Sequence, residues 1–284
     1  MADLGELRDG SGLRLLRMYT SSAAARTHAF RVHYHTAYEL GLVVSGHGQY
    51  TSDRKYEIRP GDIFLYKSGE PHCITDIAEP GMELLNLHIS PIYFKHFSTE
   101  RDENFGVAFL QKSFASNRLA DLLTPEAHAA VSAAMRQIEA EFSSKSEGYE
   151  LMIQNCLDRI LILLSRAALA SPGKKEVRCG NTERIFGAAA YIDGHYTEPL
   201  TLSELADSVR LEKTYFSALF KRIIGLSPCE YITVKRIEHA VRLLRTTDQN
   251  VLDVATACGF NNTANFNKLF KKYAGTVPKN IRKR

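Results

Sequence analysis

From about residue 13 to residue 90, apolar and polar residues alternate in short runs: FRVHYH, ELGLVVSGHGQYTS, KYEIRPGDIFLYKSGEPHCI and MELLNLHIS, separated by turn residues. A period of two bounded by such breaks predicts closely spaced strands, and several in succession predict a small all-β barrel or sandwich. From Thr124 the period changes. TPEAHAAVSAAMRQIEAEF opens with Thr in the cap position, Pro at the first helical position and Glu in the first turn, then continues in helix formers. The next segment, YELMIQNCLDRILILLSRAALA, spaces Ile153, Leu157, Ile160, Leu164 and Ala167 at alternating intervals of four and three, a heptad-like seam. Leu151, Met152, Cys156, Leu161, Ile162 and Leu163 make this helix apolar nearly all round, so more than one packing partner is expected. The seam faces either the chain's own barrel or its twin in a dimer, and the dimer is the preferred expectation. SPGKKEVRCGN, 171–181, breaks the pattern with Pro, Gly and charge and reads as a linker.

Beyond that break the chain nearly repeats itself. FSALFKRIIGLSP (216–228) aligns without a gap to FNKLFKKYAGTVP (266–278), so that Phe216, Leu219, Phe220, Lys221, Gly225 and Pro228 meet Phe266, Leu269, Phe270, Lys271, Gly275 and Pro278 at a constant offset of 50. One register marks a duplicated unit. Each copy follows a short helical signal, TLSELADSV or NVLDVATACG, and is predicted to be helix, tight turn, helix. In the second helices Phe216, Leu219, Phe220 and Ile223, and likewise Phe266, Leu269, Phe270 and Tyr273, recur at i, i+3, i+4 and i+7 and form a core face. The opposite faces carry Thr214, Ser217, Ala218 and Lys221 in one copy and Ala264, Asn267, Lys268 and Lys271 in the other. Singly, each is equally an ordinary amphipathic helix with a solvated face. As a pair they offer the amide, hydroxyl and basic groups that major-groove reading requires. The segment between them, SPCEYITVKRIEHAVRLLRTT, spans on the order of 30 Å as a helix. Successive major grooves on one face of B-DNA lie about 34 Å apart, so both helices can bind together.

Composition sharpens this division. A chain of 284 residues, 44% hydrophobic and 24% charged, is long enough for about two globular domains. Up to residue 182 it has 20 Lys/Arg against 22 Asp/Glu, a balance of −2, and after it 16 against 10, a balance of +6. The basic excess sits with the repeat. The five cysteines, at 73, 156, 179, 229 and 258, include no C-x-x-C pair, which argues against a disulfide framework and a zinc knuckle. The N-terminus lacks an apolar signal-peptide run, and ILILL at 160–164 is too short to span a bilayer. A soluble, cytoplasmic protein without a membrane partner is expected.

The stretch from Arg184 to Arg284 resembles the two-motif DNA-binding domain of AraC-type transcriptional regulators, through LTLSELADSV, LFKRIIGLSPCEYI, KRIEHAVRLL, VLDVATACGFNN and NFNKLFKKYAGTVPKNIR. The combination A-x-x-x-G-F at 255–260, then F-x-x-x-F-K-K and G-x-x-P, is specific to it. The resemblance implies recognition helices over about 213–224 and 263–274. It places Lys213, Thr214, Ser217, Ala218, Lys221 and Arg222 against DNA from the first copy. From the second it places Asn261, Asn262, Thr263, Ala264, Asn267, Lys268, Lys271 and Lys272. Lys221, Arg222, Lys271 and Lys272 are expected mainly to anchor phosphates.

In the first part, His33 and His35 stand at i and i+2, which puts both on one side of a strand. With Glu39 and His72 from neighbouring strands they make three imidazoles and one carboxylate, a set able to hold a divalent transition metal. H-x-H-x3-E-x6-G at 33–46 resembles the first cupin motif, G-x-x-H at 69–72 part of the second, and RPGDIFLY the turn and strand before it; Lys67 replaces a Pro of that pattern. The region to about residue 90 thus looks like the cupin-type sensor domain of AraC-type regulators. The resemblance makes His33, His35, Glu39 and His72 the ligand-binding set. A metal site, a metal-free pocket and a structural polar cluster all remain open. His88 in NLHIS reads as a strand-packing residue.

The expected fold class is α+β: a cupin-like β-barrel over 1–100, a helical dimerisation segment over 101–170, a linker over 171–182 and an all-α double helix-turn-helix domain over 183–284. The implied function is sequence-specific, DNA-binding transcriptional regulation, modulated by a small molecule such as a sugar or related metabolite in the barrel. Partners are double-stranded DNA, the effector, a second copy of the chain, and RNA polymerase if the protein activates. No enzyme activity and no obligatory cofactor is expected, a divalent metal being the one candidate. The alternative is a metal-dependent cupin enzyme carrying a DNA-binding domain.

Overall fold

The computed structural model describes residues 2–8, 14–25, 32–33, 35–51, 55–91, 93–94, 116–170 and 181–281. Among the described residues, eight strands form the N-terminal part: β1 (Ala2–Arg8), β2 (Arg14–Ala23), β3 (Tyr38–Ser45), β4 (Gly48–Thr51), β5 (Lys55–Ile58), β6 (Ile63–Tyr66), β7 (Cys73–Thr75) and β8 (Met82–Ile89). They make two antiparallel sheets, ordered β1-β2-β8-β3-β6 and β5-β4-β7. The period-two pattern sorts the side chains of the larger sheet between two cores. Val43, Phe64, Tyr66, Met82 and Leu84 face the smaller sheet and pack with Tyr50, Tyr56, Ile58 and Ile74. Leu40, Leu42, Ile63, Leu65, Leu85 and Leu87 face the other way, toward helices. With both faces covered, β3 is buried from Tyr38 through Val43.

Strand β1 lies outside the predicted strand region. Its burial is slight, only Leu7 being buried, so it carries almost no hydrophobic signal and is held by its ladder to β2. In the predicted run FRVHYH, Phe30, Arg31 and Tyr34 lie outside the described residues. His33 forms an isolated antiparallel bridge to His72, and His35 sits in an irregular segment before β3. The proposed linker and the start of the helical segment, 171–180 and 101–115, also fall outside the described residues.

Two long helices follow, α1 (Pro125–Ser144) and α2 (Tyr149–Ala170). The Thr124 hydroxyl accepts from the Ala127 amide and Pro125 opens α1, as the capping signal predicts. Phe142 of α1 lies directly on the backbone of Gly5 in β1, in space a Cβ would occupy. The heptad seam of α2 corrects its favoured reading. Ile153, Leu157, Ile160 and Leu164 are buried within the chain, in one core with Val131, Met135 and Ile138 of α1. The large apolar residues left exposed on α2 are Leu151 and Met152 in its first turn and Leu169 at its far end, exposed by 73%, 46% and 42%.

The C-terminal part is all helix: α3 (Thr182–His195), α4 (Leu202–Ser208), α5 (Lys213–Ile224), α6 (Pro228–Thr246), α7 (Val251–Ala257) and α8 (Thr263–Ala274). Among the described residues no helix is long and apolar enough to cross a membrane.

Candidate nucleic-acid interface and effector site

The repeat is a repeat of helix boundaries. Gly225 and Gly275 end α5 and α8 in the left-handed conformation, at φ 94° and 66°, which glycine adopts without the penalty a Cβ brings. Pro228 then opens α6 and Pro278 a short 3-10 turn, positions where a missing N–H costs nothing. Helices α5 and α8 are also capped at their starts. The Glu212 carboxylate accepts from the Tyr215 amide, and the Asn262 side-chain oxygen accepts from the Asn265 amide at 2.9 Å.

Buried Phe216, Leu219, Phe220 and Ile223 fix α5 in its unit, and Phe266, Phe270 and Tyr273 fix α8, with Leu269 partly buried. On the outer side Lys213, Thr214, Ala218, Lys221 and Arg222 are exposed and Ser217 half-buried. Asn261, Asn262, Ala264, Asn267, Lys268, Lys271 and Lys272 are exposed and Thr263 half-buried. Two of these have other employment: Asn262 caps α8, and the Lys272 ammonium donates to the Tyr273 hydroxyl at 3.1 Å. Both copies have one turn geometry. The Leu211 amide donates to the Ala206 carbonyl and the Phe260 amide to the Ala255 carbonyl, each at 3.0 Å. Arg210 at φ 54° takes the left-handed place that Gly259 takes at φ 81°.

In the barrel, Glu39 of β3 is the centre. Its cross-strand partners are His88 on β8 and Tyr66 on β6. The Nε2 atoms of His35 and His88 lie 2.8 Å from Glu39 Oε2 and that of His72 lies 3.6 Å away. His88 Nε2 is also 2.9 Å from the Tyr19 hydroxyl. The His72 ring stacks on Tyr66, centroids 4.1 Å apart, and the His33 ring stands 4.3 Å from it on the other strand of their bridge. The structure thus brings together all four predicted residues and adds His88, which the sequence reading left to packing. Period-two counting in NLHIS puts His88 on the side of Asn86. Its place opposite Glu39 depends on strand register, which no local pattern states.

Burial alone would raise the Glu39 carboxyl, but His88, His35 and His72 hold it well below the usual carboxylate range. Burial would lower His35, yet its hydrogen bond to Glu39 raises it; for His88 burial prevails and the imidazole is lowered. Lys67 is pushed down to about 8 by burial.

The site abuts the first helix-turn-helix unit. The Thr36 amide and hydroxyl donate to Glu238 Oε1 of α6, at 2.8 and 3.1 Å. Burial would raise the Glu238 carboxyl, but Lys235, Arg14 and the Thr36 amide hold it below the carboxylate range. A Cβ on Gly225 would stand 2.7 Å from the Ser68 carbonyl oxygen, and Leu226 packs on Gly69. The Gly69 amide donates to the His35 carbonyl at 2.9 Å. Two loops of the cluster, 35–36 and 68–69, therefore touch α6 and the turn that joins α5 to it.

A family profile described as an AraC-like ligand binding domain matches residues 15–161, and one described as a helix-turn-helix domain matches 205–284. The melibiose operon regulatory protein of Escherichia coli K12 is 26% identical over 269 residues, covering 88% of this chain and 83% of that one. The HTH-type transcriptional activator RhaS of Pectobacterium atrosepticum is 26% identical over 270 residues, covering 89% and 88%. Among solved structures, unsaturated fatty acid-bound ToxT of Vibrio cholerae superposes with a TM-score of 0.61 over 97% of both chains at 14% identity. That last likeness is one of fold.

Proposed function

The chain belongs to the AraC family of transcriptional regulators, and on that premise we propose that α5 and α8 read successive major-groove segments while an effector in the barrel sets how they are presented. Thr214, Ser217, Asn267 and Lys268 face base edges, with Asn261, Asn262, Thr263, Ala218 and Ala264 in close approach. Lys213, Lys221, Arg222, Lys271 and Lys272 neutralise phosphates. The effector acts at His33, His35, Glu39 and His72, with His88 behind them. One relative named above is the regulator of a melibiose operon, which points to a small metabolite such as a sugar, and the solved neighbour was seen with an unsaturated fatty acid. The barrel binds without turnover. The protein works in the cytoplasm as a homodimer, and it touches RNA polymerase where it activates.

One observation carries this reading: two equivalent helices with exposed polar faces are joined by α6, and α6 itself binds Thr36 beside the buried cluster. An effector that favours one position of the 35–36 loop therefore has a route to the heads, provided it binds the two arrangements unequally. The test is selection of duplexes from a random pool with the full-length protein. Expected is a motif of two short elements one helical turn apart, bound at least a hundredfold tighter than random DNA at physiological salt. Equal affinity for selected and random duplexes would refute sequence reading.

A further inference from the structure

Helices α5 and α8 carry different chemistry on their outer ridges. At 3.6 residues per turn, the line farthest from the Phe266, Phe270 and Tyr273 core of α8 runs between Ala264 and Lys268, with Asn265 on one flank and Asn267 on the other. The offset of 50 puts Thr214 and Ala218 on the corresponding ridge of α5, and Tyr215 and Ser217 on its flanks. All four positions of α8 are exposed. The Asn262 side chain holds the Asn265 backbone amide at 2.9 Å, which fixes the first turn, and among the described residues nothing bonds the Asn265 side-chain amide or the Lys268 ammonium. The flanks of α5 are engaged: the Tyr215 hydroxyl lies 3.5 Å from the side-chain amide of Asn181, just before α3, and Ser217 is half-buried. The ridge of α5 offers one hydroxyl and two methyl groups.

Base edges in the major groove match these groups unequally. Guanine shows two neighbouring acceptors, O6 and N7, adenine an acceptor beside a donor, and thymine alone a methyl group. An ammonium only donates and suits guanine; an asparagine amide has a donor and an acceptor in one plane and suits adenine. Asn265 stands three residues before Lys268, about 4.5 Å along the axis, near the spacing of about 3.4 Å between base pairs. The Ala218 methyl finds an apolar partner in the groove only at thymine. We infer that α8 reads a guanine through Lys268 and a neighbouring adenine through Asn265, and that α5 reads a thymine methyl through Ala218. The operator then has two unlike elements, one fixed by hydrogen bonds to guanine and adenine and one held by apolar contact with thymine. This assignment rests on the regulatory reading above.

Selection from a random pool is run with the full-length wild-type protein, Lys268→Ala and Asn265→Ala. Expected is a wild-type motif whose guanine preference vanishes with Lys268→Ala and whose adjacent adenine preference vanishes with Asn265→Ala, the second element being unchanged in both. In the wild-type duplex, 7-deazaguanine at that guanine, which lacks the N7 acceptor, should weaken binding about fivefold or more, and Lys268→Ala should show no further loss. Deoxyuridine in the second element, which lacks the methyl group, should weaken wild-type binding about fourfold and leave Ala218→Gly unaffected. Wild-type tolerance of 7-deazaguanine at every guanine of the motif overturns the Lys268 assignment however the variants fold. Tolerance of deoxyuridine at every thymine overturns that of Ala218, and an adenine preference kept by a folded Asn265→Ala overturns that of Asn265. In each of these cases the motif remains, and the regulator with it. Failure of the wild-type protein to enrich any motif would instead refute the regulator.

Discussion

The two helix-turn-helix units share one plan and are held differently. Both close their turns with the same five-residue hydrogen bond and end their recognition helices in a left-handed glycine. In the first, that glycine and the residue after it lie against Ser68 and Gly69 of the barrel, and the next helix gives Glu238 to Thr36. The corresponding end of the second unit holds its 3-10 turn, while Asn267, Lys268 and Lys271 stand exposed. Duplication thus leaves two unlike copies: the first is fastened to the barrel, and the second carries the fuller set of exposed long polar side chains.

The largest effect that would break this symmetry is at Gly259. Its backbone is left-handed and a Cβ there would run into the Thr197 carbonyl oxygen. Gly259→Ala should cost about 2–4 kcal/mol, strain and clash together, as read by urea unfolding. A loss below about 1 kcal/mol would mean that the close approach is easily relieved.

Next comes the fastening of the first unit. Glu238→Gln and Thr36→Val should each destabilise by about 1–3 kcal/mol, since a hydrogen-bonded carboxylate loses its charge in one and its donor in the other. The double variant should lose clearly less than the sum. Additivity within about 0.5 kcal/mol would show that the pair does not act as a unit. With the fastening cut, DNA affinity should cease to depend on whether the barrel is loaded.

Smaller again is the division within the reading surface. Lys268→Ala should weaken binding to selected DNA by about 1–3 kcal/mol and hardly change binding to random DNA. Lys221→Ala should weaken both alike and reduce the salt slope by about one. Salt titrations on the two duplexes separate these outcomes, and equal losses on both for Lys268→Ala would remove it from base reading.

How legible this was from sequence follows the range of each interaction. Helices α5 and α8 run from Lys213 to Ile224 and from Thr263 to Ala274, the ranges the family resemblance implied, and their caps, stop glycines and following prolines are local signals that leave residues behind. The role of the α2 seam was not legible, since apolar spacing says that a face is covered but not by what. His88 joins Glu39 through strand register, and Thr36 meets Glu238 across 202 positions of sequence. Neither leaves a periodic trace. Strand β1 escaped for a related reason: an edge held by backbone pairing needs few apolar side chains.

The finest test lies where the copies differ at one equivalent position. Arg210 holds φ 54° where Gly259 holds φ 81°, and a non-glycine residue there bears a strain of about 1–2 kcal/mol. Arg210→Gly relieves that strain but enlarges the freedom of the unfolded chain, which offsets about 0.5–1 kcal/mol of the gain. The expected net is therefore a stabilisation of at most about 1 kcal/mol in urea unfolding, with affinity for selected DNA unchanged because Arg210 is outside the reading face. Net destabilisation would show that the arginine side chain contributes contacts exceeding its backbone strain. The first unit would then be held by its turn as well as by the barrel.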